Sequence, residues 1–417
     1  MEEWKEYKIE ELIDEISMGP FGSNIKVDNF IDFGVPVLNG SNMQDFKLQE
    51  KSFNYVSPEK ADSLGRAIAY RGDVVITHRG TLGQIVYIPK SSLFERYVIS
   101  QSQFRLKLKT DIVRPDYFVY YFHTPLGQHK ILMNASQVGV PALARPTSTF
   151  KNVTISIPSI ERQNKMMDIL SSLDDKIEVN RRINEQLEEL AQALFKSWFV
   201  DFEPFKDGEF VESELGMIPE GWNIGKFTDI IDIKGGGTPK TDIAEYWNGD
   251  IPFFTPKDIN DVFCISTEKN ITDLGLSKCS SKLYSKNTVF ITARGTVGKV
   301  CMAGRDMAMN QTCYALIGKK NYGQHFIYMQ TISIVERMKK KANGAVFSAI
   351  TTRDFDSEKI IIPSLDIVSD YLMKIEPLYE SILHNQQEIT HLTNLRDTLL
   401  PKLMSGEIDV EQLNVIE

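Results

Sequence analysis

The sequence predicts an α+β fold: two homologous α/β units with twisted, partly antiparallel sheets, separated by two long helices that form an antiparallel coiled coil. Three observations lead to this prediction. Short segments of the first half recur in the same order in the second half, runs of β-branched residues indicate strands within each half, and a heptad pattern closes each half. The length of 417 residues is enough for two such units, and 42% hydrophobic with 25% charged residues is typical of a folded globular chain.

The internal repeat is the strongest of these observations. The matching pairs are residues 34–37 (GVPV) with 250–253 (DIPF), 76–83 (ITHRGTLG) with 291–298 (ITARGTVG), and 157–160 (IPSI) with 362–365 (IPSL). The offset between the halves drifts from 216 to 205 residues, as expected when loops differ in length. Because the order is preserved, each half is predicted to be a globular unit of roughly 150 residues followed by a helical segment.

Strands are expected where β-branched residues cluster before turn residues. The predicted strands are residues 74–77, 85–88, 153–157 and 288–292, and a helix is predicted over residues 115–122. The predicted domain boundaries are residues 1–157 for the first unit, 158–203 for a first helical spacer, 204–361 for a linker and the second unit, and 362–417 for a second helical spacer and tail.

Hydrophobic residues step by four and three along both helical segments, which is the pattern of a coiled-coil seam. The residues predicted to pair the helices are Leu173, Ile177, Asn180, Leu187, Leu194, Leu378, Ile382, Asn385, Leu392 and Leu399. An asparagine recurs in the seam at Asn180 and Asn385, where it would fix the register against a matching partner. We therefore expect the helices to pack on each other; the alternative is that each amphipathic helix lies on its own unit.

Pro377 is expected in the first turn of a helix, where proline is tolerated, and Ser172 occupies the corresponding N-cap position. Each helical segment is therefore predicted as a short helix followed by a long one, over residues 173–200 and 378–404. A helix of about 27 residues spans roughly 40 Å, which is close to one turn of B-DNA.

The net charge of −9, taken alone, argues against a nucleic-acid partner, because phosphates attract clustered lysine and arginine. The distribution of charge reverses this argument. Residues 66–151 hold 12 Lys and Arg against 4 Asp and Glu, and residues 282–353 hold 12 against 2. One basic region in each half predicts that both halves bind nucleic acid.

Over essentially its whole length, the chain resembles the specificity (S) subunit of type I restriction-modification systems. The motifs that carry the resemblance are the glycine turns at residues 19–23 (GPFGS) and 235–239 (GGGTP), the connector at 214–222 (ELGMIPEGW) and the ending at 399–408 (LLPKLMSGEI). The family's order of recognition domain, helix, recognition domain and helix matches the repeat described above.

The resemblance implies a non-catalytic subunit that binds double-stranded DNA, with each target-recognition domain reading one half of a bipartite sequence. The halves differ outside the shared motifs, so an asymmetric target is expected. The paired helices would act as a spacer and as the docking surface for two methyltransferase (M) subunits, and restriction (R) subunits would join the complex. No cofactor or metal is expected on this chain, since S-adenosylmethionine, ATP and magnesium belong to the partner subunits.

No membrane span is expected, because no stretch approaches the roughly 18–20 consecutive apolar residues that one needs. A cytoplasmic location is expected, because the start of the chain lacks a signal-peptide pattern and the 4 cysteines, without a Cys-x-x-Cys pair, do not indicate a disulfide scaffold. Known catalytic patterns are missing as well. Pro239 stands where a phosphate loop requires glycine, and no Asn/Asp-Pro-Pro-Tyr/Phe motif is present. Two alternatives stay open: a specificity module of a related DNA-defence complex, and a self-contained DNA-acting enzyme with an unrecognised site.

Residues that contact DNA are expected in two groups. Arg79 and Arg294 follow strands in matching Arg-Gly-Thr-x-Gly loops, which favours a phosphate-binding or scaffold role; the alternative is an arginine that binds loop carbonyls. Base-reading residues should instead differ between the halves and should carry groups that bind base edges. The candidates of this second group, each of which is otherwise a plain loop residue, are Ser41, Asn42, His78, Gln101, Gln103, Arg145, Lys257, Asn310, Gln311 and Arg353.

Overall fold

The computed structural model describes residues 4–133, 135–136, 140–341 and 349–412 of the chain. Contacts divide the chain into two compact units. Unit 1 consists of Met1–Asp175 with Leu392–Glu417, and unit 2 is Lys176–His391. The domain boundaries drawn along the sequence stay a prediction. No helix within the described residues is long and apolar enough to cross a membrane.

Within the described residues, unit 1 contains thirteen strands, and the first five α-helices lie wholly within it. The strands are β1 (Lys5–Lys8), β2 (Ile13–Met18), β3 (Phe30–Ile31), β4 (Val35–Val37), β5 (Asn54–Val56), β6 (Ile68–Tyr70), β7 (Val74–Thr77), β8 (Ile85–Tyr87), β9 (Arg96–Val98), β10 (Gln103–Leu108), β11 (Ala135–Ser136), β12 (Ala142–Leu143) and β13 (Thr154–Ile157). The helices are α1 (Ile9–Leu12), α2 (Pro58–Ser63), α3 (Pro115–His123), α4 (Pro125–Leu132) and α5 (Pro146–Lys151).

The strands of unit 1 form two main sheets. One has the order β2-β10-β7-β8 and the other the order β3-β5-β4-β9-β6, with the smaller pairs β1-β13 and β11-β12 beside them. Among these pairs, β4 and β9 run parallel and the others antiparallel. The predicted strand at 74–77 is β7, which lies between β10 and β8 and is buried on both faces, because Val74 and Ile76 pack into one hydrophobic cluster and Val75 into another.

The core of unit 1 lies between the four-stranded sheet and α3. Six consecutive residues of α3, from Tyr117 to Phe122, are buried, which is the pattern of a helix enclosed on all sides. The helix begins at Pro115, whose missing N–H is not needed in the first turn, and the prediction of a helix over 115–122 is confirmed.

Unit 2 repeats this arrangement. Its strands are β14 (Phe210–Ser213), β15 (Gly216–Pro219), β16 (Asn223–Lys226), β17 (Ile231–Gly235), β18 (Trp247–Phe254), β19 (Phe263–Cys264), β20 (Asn270–Ile271), β21 (Val289–Thr292), β22 (Val300–Ala303), β23 (Ala308–Met309), β24 (Cys313–Gly318) and β25 (Lys359–Ile362). Its main sheet has the order β17-β24-β21-β22-β19, so β17, β24, β21 and β22 correspond to β2, β10, β7 and β8 of unit 1. The prediction of two homologous α/β units with partly antiparallel sheets is confirmed.

The remaining elements of unit 2 follow the same plan. The strands β18, β20 and β23 form a three-stranded sheet, and β14-β15 and β16-β25 form pairs. The remaining helices of the chain are α6 (Ile160–Phe199), α7 (Phe227–Ile230), α8 (Asp273–Ser277), α9 (Gln324–Lys341), α10 (Thr352–Ser357) and α11 (Leu365–Ser405). The core of unit 2 includes Phe195 and Phe199 of α6 and Tyr371 of α11.

The prediction that each helical segment is a short helix followed by a long one is wrong. Both α6 and α11 are continuous, and Pro377 lies inside α11. An interior proline costs about 3 kcal/mol because it removes a hydrogen bond and crowds the preceding turn. Pro377 and Met373, the residue whose carbonyl loses that bond, both lie on the exposed side of the helix. Tyr371, Ile375 and Tyr379 lie on the opposite face and are buried, and their packing keeps α11 continuous through Pro377.

The two long helices contribute to both units and run antiparallel within each. In unit 1, Arg396 of α11 contacts Asp174 of α6 at 2.6 Å, while Arg162, near the start of α6, contacts Asp409 beyond the end of α11 at 2.5 Å. The predicted helix-pairing residues are buried or half-buried, and none of them is exposed: Leu173, Ile177, Asn180, Leu187, Leu194, Leu378, Ile382, Asn385, Leu392 and Leu399.

The two seam asparagines do not meet each other in unit 2, contrary to the simplest form of the prediction. The amide of Asn180 donates to Glu388 at 2.7 Å, and the amide of Asn385 donates to Asn184 at 2.9 Å. An alignment that paired Asn180 with Asn385 would differ from the observed antiparallel alignment by about one helical turn. The polar layer is therefore built from non-equivalent residues of the two helices.

Candidate DNA interface

Four loops of unit 1 meet at one edge of its sheets. The strands β2 and β7 end where β10 begins, because Phe104 pairs with Met18 and Gln103 pairs with Thr77. The short 3-10 turn Gly40–Met43 joins them through Gln84, whose amide donates to the carbonyl oxygen of Gly40 at 3.2 Å. We call these loops, residues 19–24, 39–43, 78–84 and 100–102, edge 1.

Glycine is required where two of these loops touch. The N–H of Gly19 donates to the carbonyl of Gln103 at 2.8 Å. A Cβ atom at Gly19 would lie 1.9 Å from the carbonyl oxygen of Ser100, far inside van der Waals contact. The backbone of the 19–24 loop is thereby fixed against the 100–102 loop.

Arg79 lies on edge 1 with its side chain exposed. Its backbone bridges to Ala142, and Gly80 adopts a positive φ of 89° that suits glycine and turns the chain away after the arginine. Within the part of the chain that the structure describes, the Arg79 guanidinium makes no hydrogen bond or ion pair. This favours an external partner over the alternative in which the arginine binds loop carbonyls.

The other predicted residues of edge 1 divide into exposed and structural ones. Gln101 and Ser41 are exposed, whereas Asn42 is fully buried and donates its amide hydrogens to the carbonyls of Gln49 at 2.8 Å and Lys51 at 2.7 Å. Gln103 is also buried, and its side-chain oxygen accepts from the N–H of Ser100 at 2.9 Å. In the absence of DNA, Asn42 and Gln103 hold their loops in shape.

His78 is half-buried, and its Nε2 lies 3.2 Å from the carbonyl oxygen of Gln101. Burial lowers the pKa of His78 below its ordinary value, so the ring is neutral near pH 7 and binds the loop as an N–H donor. The ring joins the loop after β7 to the loop before β10. His78 therefore belongs to edge 1 and also helps to hold Gln101 in position.

Arg145 and Arg353 are both exposed but do not occupy equivalent positions. Arg145 precedes α5 with a left-handed φ of 46°, whereas Arg353 lies in the first turn of α10, where Thr351 holds the position that corresponds to Arg145. The segments that precede them in the sequence are residues 139–145 and 343–353. Of these, Gly139 and residues 343–348 lie outside the described residues.

Unit 2 builds the same edge from different side chains. Thr292 pairs with Cys313 and Gly235 with Tyr314, so β17 and β21 end where β24 begins. A Cβ atom at Gly236 would lie 2.1 Å from the carbonyl oxygen of Asn310, the same close approach as in unit 1. We call the corresponding loops, residues 236–241, 255–258, 293–299 and 310–312, edge 2.

Edge 2 encloses a cleft of about 490 Å³. Three predicted residues from separate parts of the sequence, Lys257, Arg294 and Asn310, line it together. Its other lining residues are Thr238, Thr241, Trp247, Phe253, Thr255, Pro256, Glu268, Lys269, Gly295, Thr296 and Thr312. Gln311 is exposed beside the cleft and accepts a hydrogen bond from the hydroxyl of Thr238.

The cleft combines cationic, amide and aromatic groups. The Lys257 side chain is 81% exposed and lies 3.9 Å from Glu268, a distance at which the pair is weak. Arg294 is exposed and bridges through its backbone to Ala349. The side-chain oxygen of Asn310 accepts from the N–H of Thr312 at 3.1 Å, which leaves its amide hydrogens to point elsewhere. Such groups match phosphates and base edges.

Sequence reasoning missed the aromatic and basic wall of the cleft. The Lys269 ammonium lies 5.6 Å from the Trp247 ring centre, an arrangement that depends on strands far apart in sequence. The charge count also overstated the positive charge that faces outward in unit 1. Six of the twelve basic residues of 66–151 bind carbonyl or carboxylate oxygens of the unit itself: Arg71, Arg96, Arg105, Lys109, Arg114 and Lys130.

A comparison with protein families identifies the whole arrangement. The family model described as the type I restriction modification DNA specificity domain matches residues 1–189 and again residues 219–394. The chain belongs to this family. Both matches span one globular unit with the first part of the helix that follows it, in agreement with the internal repeat.

Curated relatives within this specificity family agree. The MjaIX specificity subunit of Methanocaldococcus jannaschii is 31% identical over 349 residues, which cover 82% of this chain and 79% of the relative. The HindI specificity subunit of Haemophilus influenzae is 28% identical, with 98% of this chain and 100% of the relative covered. The crystal structure of the S subunit from M. genitalium shares the fold, with a TM-score of 0.61, 16% identity and 96% of both chains covered.

Membership of the specificity family confirms the predicted family, its DNA-recognition role and its non-catalytic place in a restriction-modification complex. Across the described part of the chain, no group of three or more His, Cys, Asp or Glu side chains is placed to hold a metal ion. The site residues predicted from the sequence are not identified individually by these comparisons.

Proposed function

We propose that the chain reads a bipartite, asymmetric DNA target, with edge 1 contacting one half-site and edge 2 the other. The observation that carries this proposal is the repetition of one strand-end edge in two units, each lined by exposed polar or basic side chains. Arg79 and Arg294 occupy the same place in both edges, so they contact phosphates and set the position of the DNA rather than distinguish bases.

Base reading is assigned to polar or basic residues of the two edges that are exposed or half-buried. Edge 1 offers Ser41 and Gln101, with His78 behind Gln101, and edge 2 offers Lys257 and Asn310. Lysine binds guanine and the amides of asparagine and glutamine bind adenine, so the two edges favour different sequences. Gln311, Arg145 and Arg353 are exposed beside these residues and add contacts at the margins, whereas Asn42 and Gln103 act by holding loops.

Two methyltransferase subunits and the restriction subunits are the proposed protein partners, and S-adenosylmethionine, ATP and magnesium act on those partners, in the cytoplasm. The part of α6 within unit 2 supports docking, because it exposes the apolar side chains Val179, Ile183 and Leu190 along a face that flanks the helix seam. Apolar residues spaced along one exposed helix face are typical of a surface that a partner helix covers.

The decisive experiment is long-read detection of modified adenines in the source genome with and without this gene. Loss of a single bipartite motif on deletion is the expected result, and it would give both half-sites and the spacer between them. An unchanged set of modified motifs, in cells shown to make the chain and its partner methyltransferase, would contradict the proposal.

A further inference from the structure

Phe21 stands on edge 1 with 83% of its surface exposed. It lies between β2 and the 3-10 turn Gly22–Asn24, and within the described residues its ring makes no contact with another aromatic ring. Exposing a phenylalanine to water forfeits about 2 kcal/mol of burial free energy. A partner that covers the ring would recover that free energy.

Backbone hydrogen bonds flank Phe21 on both sides. The N–H of Asn24 donates to the carbonyl of Phe21 at 2.8 Å, and the N–H of Gly19 donates to Gln103 at 2.8 Å. A Cβ atom at Gly22 would lie 2.2 Å from the side-chain oxygen of Gln101. The turn that carries the Phe21 ring thus packs closely against Gln101, one of the exposed polar residues of edge 1.

The aromatic ring is specific to unit 1. Met18 pairs with Phe104 and Gly235 pairs with Tyr314 at equivalent places in the two sheets, so Thr238 of unit 2 occupies the position of Phe21. The hydroxyl of Thr238 donates to the side-chain oxygen of Gln311, so unit 2 presents a small polar side chain where unit 1 presents an aromatic ring. A group that distinguishes sequences is expected to differ between the two halves in this way.

We propose that Phe21 stacks on a base of the half-site that unit 1 reads, entering a base step from the groove. This inference rests on the proposed function of edge 1. Phenylalanine is among the apolar side chains that enter base steps, and pyrimidine–purine steps open most easily. Phe21 thereby favours half-sites with a flexible step opposite the 19–24 turn, and Gln101 beside it reads the adjoining base edge.

The test uses the full chain co-purified with the methyltransferase of its own genome, and duplexes carrying the target read from adenine modification. Phe21→Ala is expected to lower affinity for the target about tenfold while affinity for unrelated duplex stays the same, because stacking needs a matched step. Phe21→Trp is expected to retain target affinity. Phe33→Ala is the matched control, since Phe33 is 78% exposed but stacks on Tyr55 and precedes β4, at the strand end away from edge 1.

A second measurement places 2-aminopurine at each position of the unit 1 half-site in turn. The wild-type complex is expected to change the fluorescence at one step, and Phe21→Ala to abolish that change. Target affinity of Phe21→Ala equal to wild type, or no responsive step in the wild-type complex, would overturn the stacking role while sequence-specific binding itself persists. Failure of the wild-type complex to prefer its target over unrelated duplex would instead overturn the proposed function and this inference with it.

Discussion

Asn385 of α11 donates a hydrogen bond from its side-chain amide to the side-chain oxygen of Asn184 of α6, at 2.9 Å, inside unit 2. Asn184 is buried, and its own amide lies 3.4 Å from the carbonyl oxygen of Ile382. A polar layer of this kind costs stability but fixes the register of two helices, because a shifted alignment leaves buried amides without partners.

Asn184→Leu is therefore expected to lower the free energy of unfolding by about 1–3 kcal/mol, since the amide of Asn385 loses its acceptor. Asn184→Leu combined with Asn385→Leu should recover most of this loss, because both polar groups are then removed together. Urea unfolding of the full chain measures both effects. Asn394→Leu, on the exposed side of α11, is the control and should change stability by less than about 0.5 kcal/mol. Equal losses for the single and double variants would contradict the pairing.

Arg79→Ala and Arg294→Ala are each expected to weaken binding to target and unrelated duplexes alike, and to reduce the slope of log affinity against log salt by about one. The reason is that each exposed guanidinium releases about one counterion from the phosphates it contacts. Arg305→Ala is the control for unit 2, because Arg305 is exposed after β22, at the sheet edge opposite Arg294. A salt slope unchanged by either edge variant, measured by fluorescence anisotropy, would rule out the phosphate contact of that residue.

Lys257→Ala and Asn310→Ala should relax the sequence preference of one half-site only. Both residues line the cleft of edge 2, and loss of a base contact costs about 1–3 kcal/mol of discrimination, or roughly 5- to 150-fold. The measurement is the set of modified adenines in cells that carry each variant. Lys286→Ala, an exposed lysine before β21 and so at the opposite end of that strand, should leave the motif intact. Relaxation of both half-sites, or of neither, would contradict a base-reading role for edge 2.

The exposed apolar stripe of α6 leads to a prediction about assembly. Changing Val179, Ile183 and Leu190 together to serine should abolish co-purification of the methyltransferase and leave the melting temperature of the free chain within a few degrees. Leu283→Ser is the control, because Leu283 is an exposed leucine of unit 2 outside the long helices. Retention of a stoichiometric methyltransferase in the triple variant would show that docking uses another surface.

The repeat, the strands and the helix seam could be predicted because each depends on residues close together in the sequence. The strand over 74–77 was predicted at its observed bounds, and the strand over 288–292 one residue too long, since runs of Val, Ile and Thr before Arg-Gly are a local signal. The predicted break at Pro377 is wrong because the continuity of the helix there depends on residues far apart in the sequence. Tertiary burial of Tyr371 and Tyr379 outweighs the local cost of the proline, and no short segment carries that information.

Local sequence is equally unable to show which of the predicted DNA-contact residues are buried. Asn42 and Gln101 have equally polar side chains in neighbouring loops, but only the folded chain shows that Asn42 is buried against Gln49 and Lys51 while Gln101 is exposed. The cleft of edge 2 depends on the pairing of β18 with β20 and β23, which joins segments far apart in the sequence. Residue type and repeat position therefore predict where an interface lies, and burial decides which side chains of it are available to DNA.

Glu188 on α6 leads to a prediction for the pH dependence of stability in unit 2. Burial raises its pKa from 4.5 to about 7, and the charges of Asp261 and Glu185 add to the effect. At low pH the carboxyl is protonated in the folded and the unfolded chain, so it has no effect on stability. As the pH rises from 4.5 to about 7, the carboxyl of the unfolded chain releases its proton before that of the folded chain does. The free energy of unfolding therefore falls over this range, and above about pH 7 it falls no further on account of Glu188.

Glu188→Gln keeps the shape of the side chain and removes the charge. We expect it to raise the free energy of unfolding above pH 7 by about 1–2 kcal/mol, a value reduced for solvent screening of a partly exposed group, with no gain below its ordinary pKa. Urea unfolding at several pH values between about 5 and 8 measures the difference from wild type. Glu189→Gln, the exposed neighbour, is the control for a general change in charge. A difference that stays constant across this pH range would show that Glu188 titrates alike in both states.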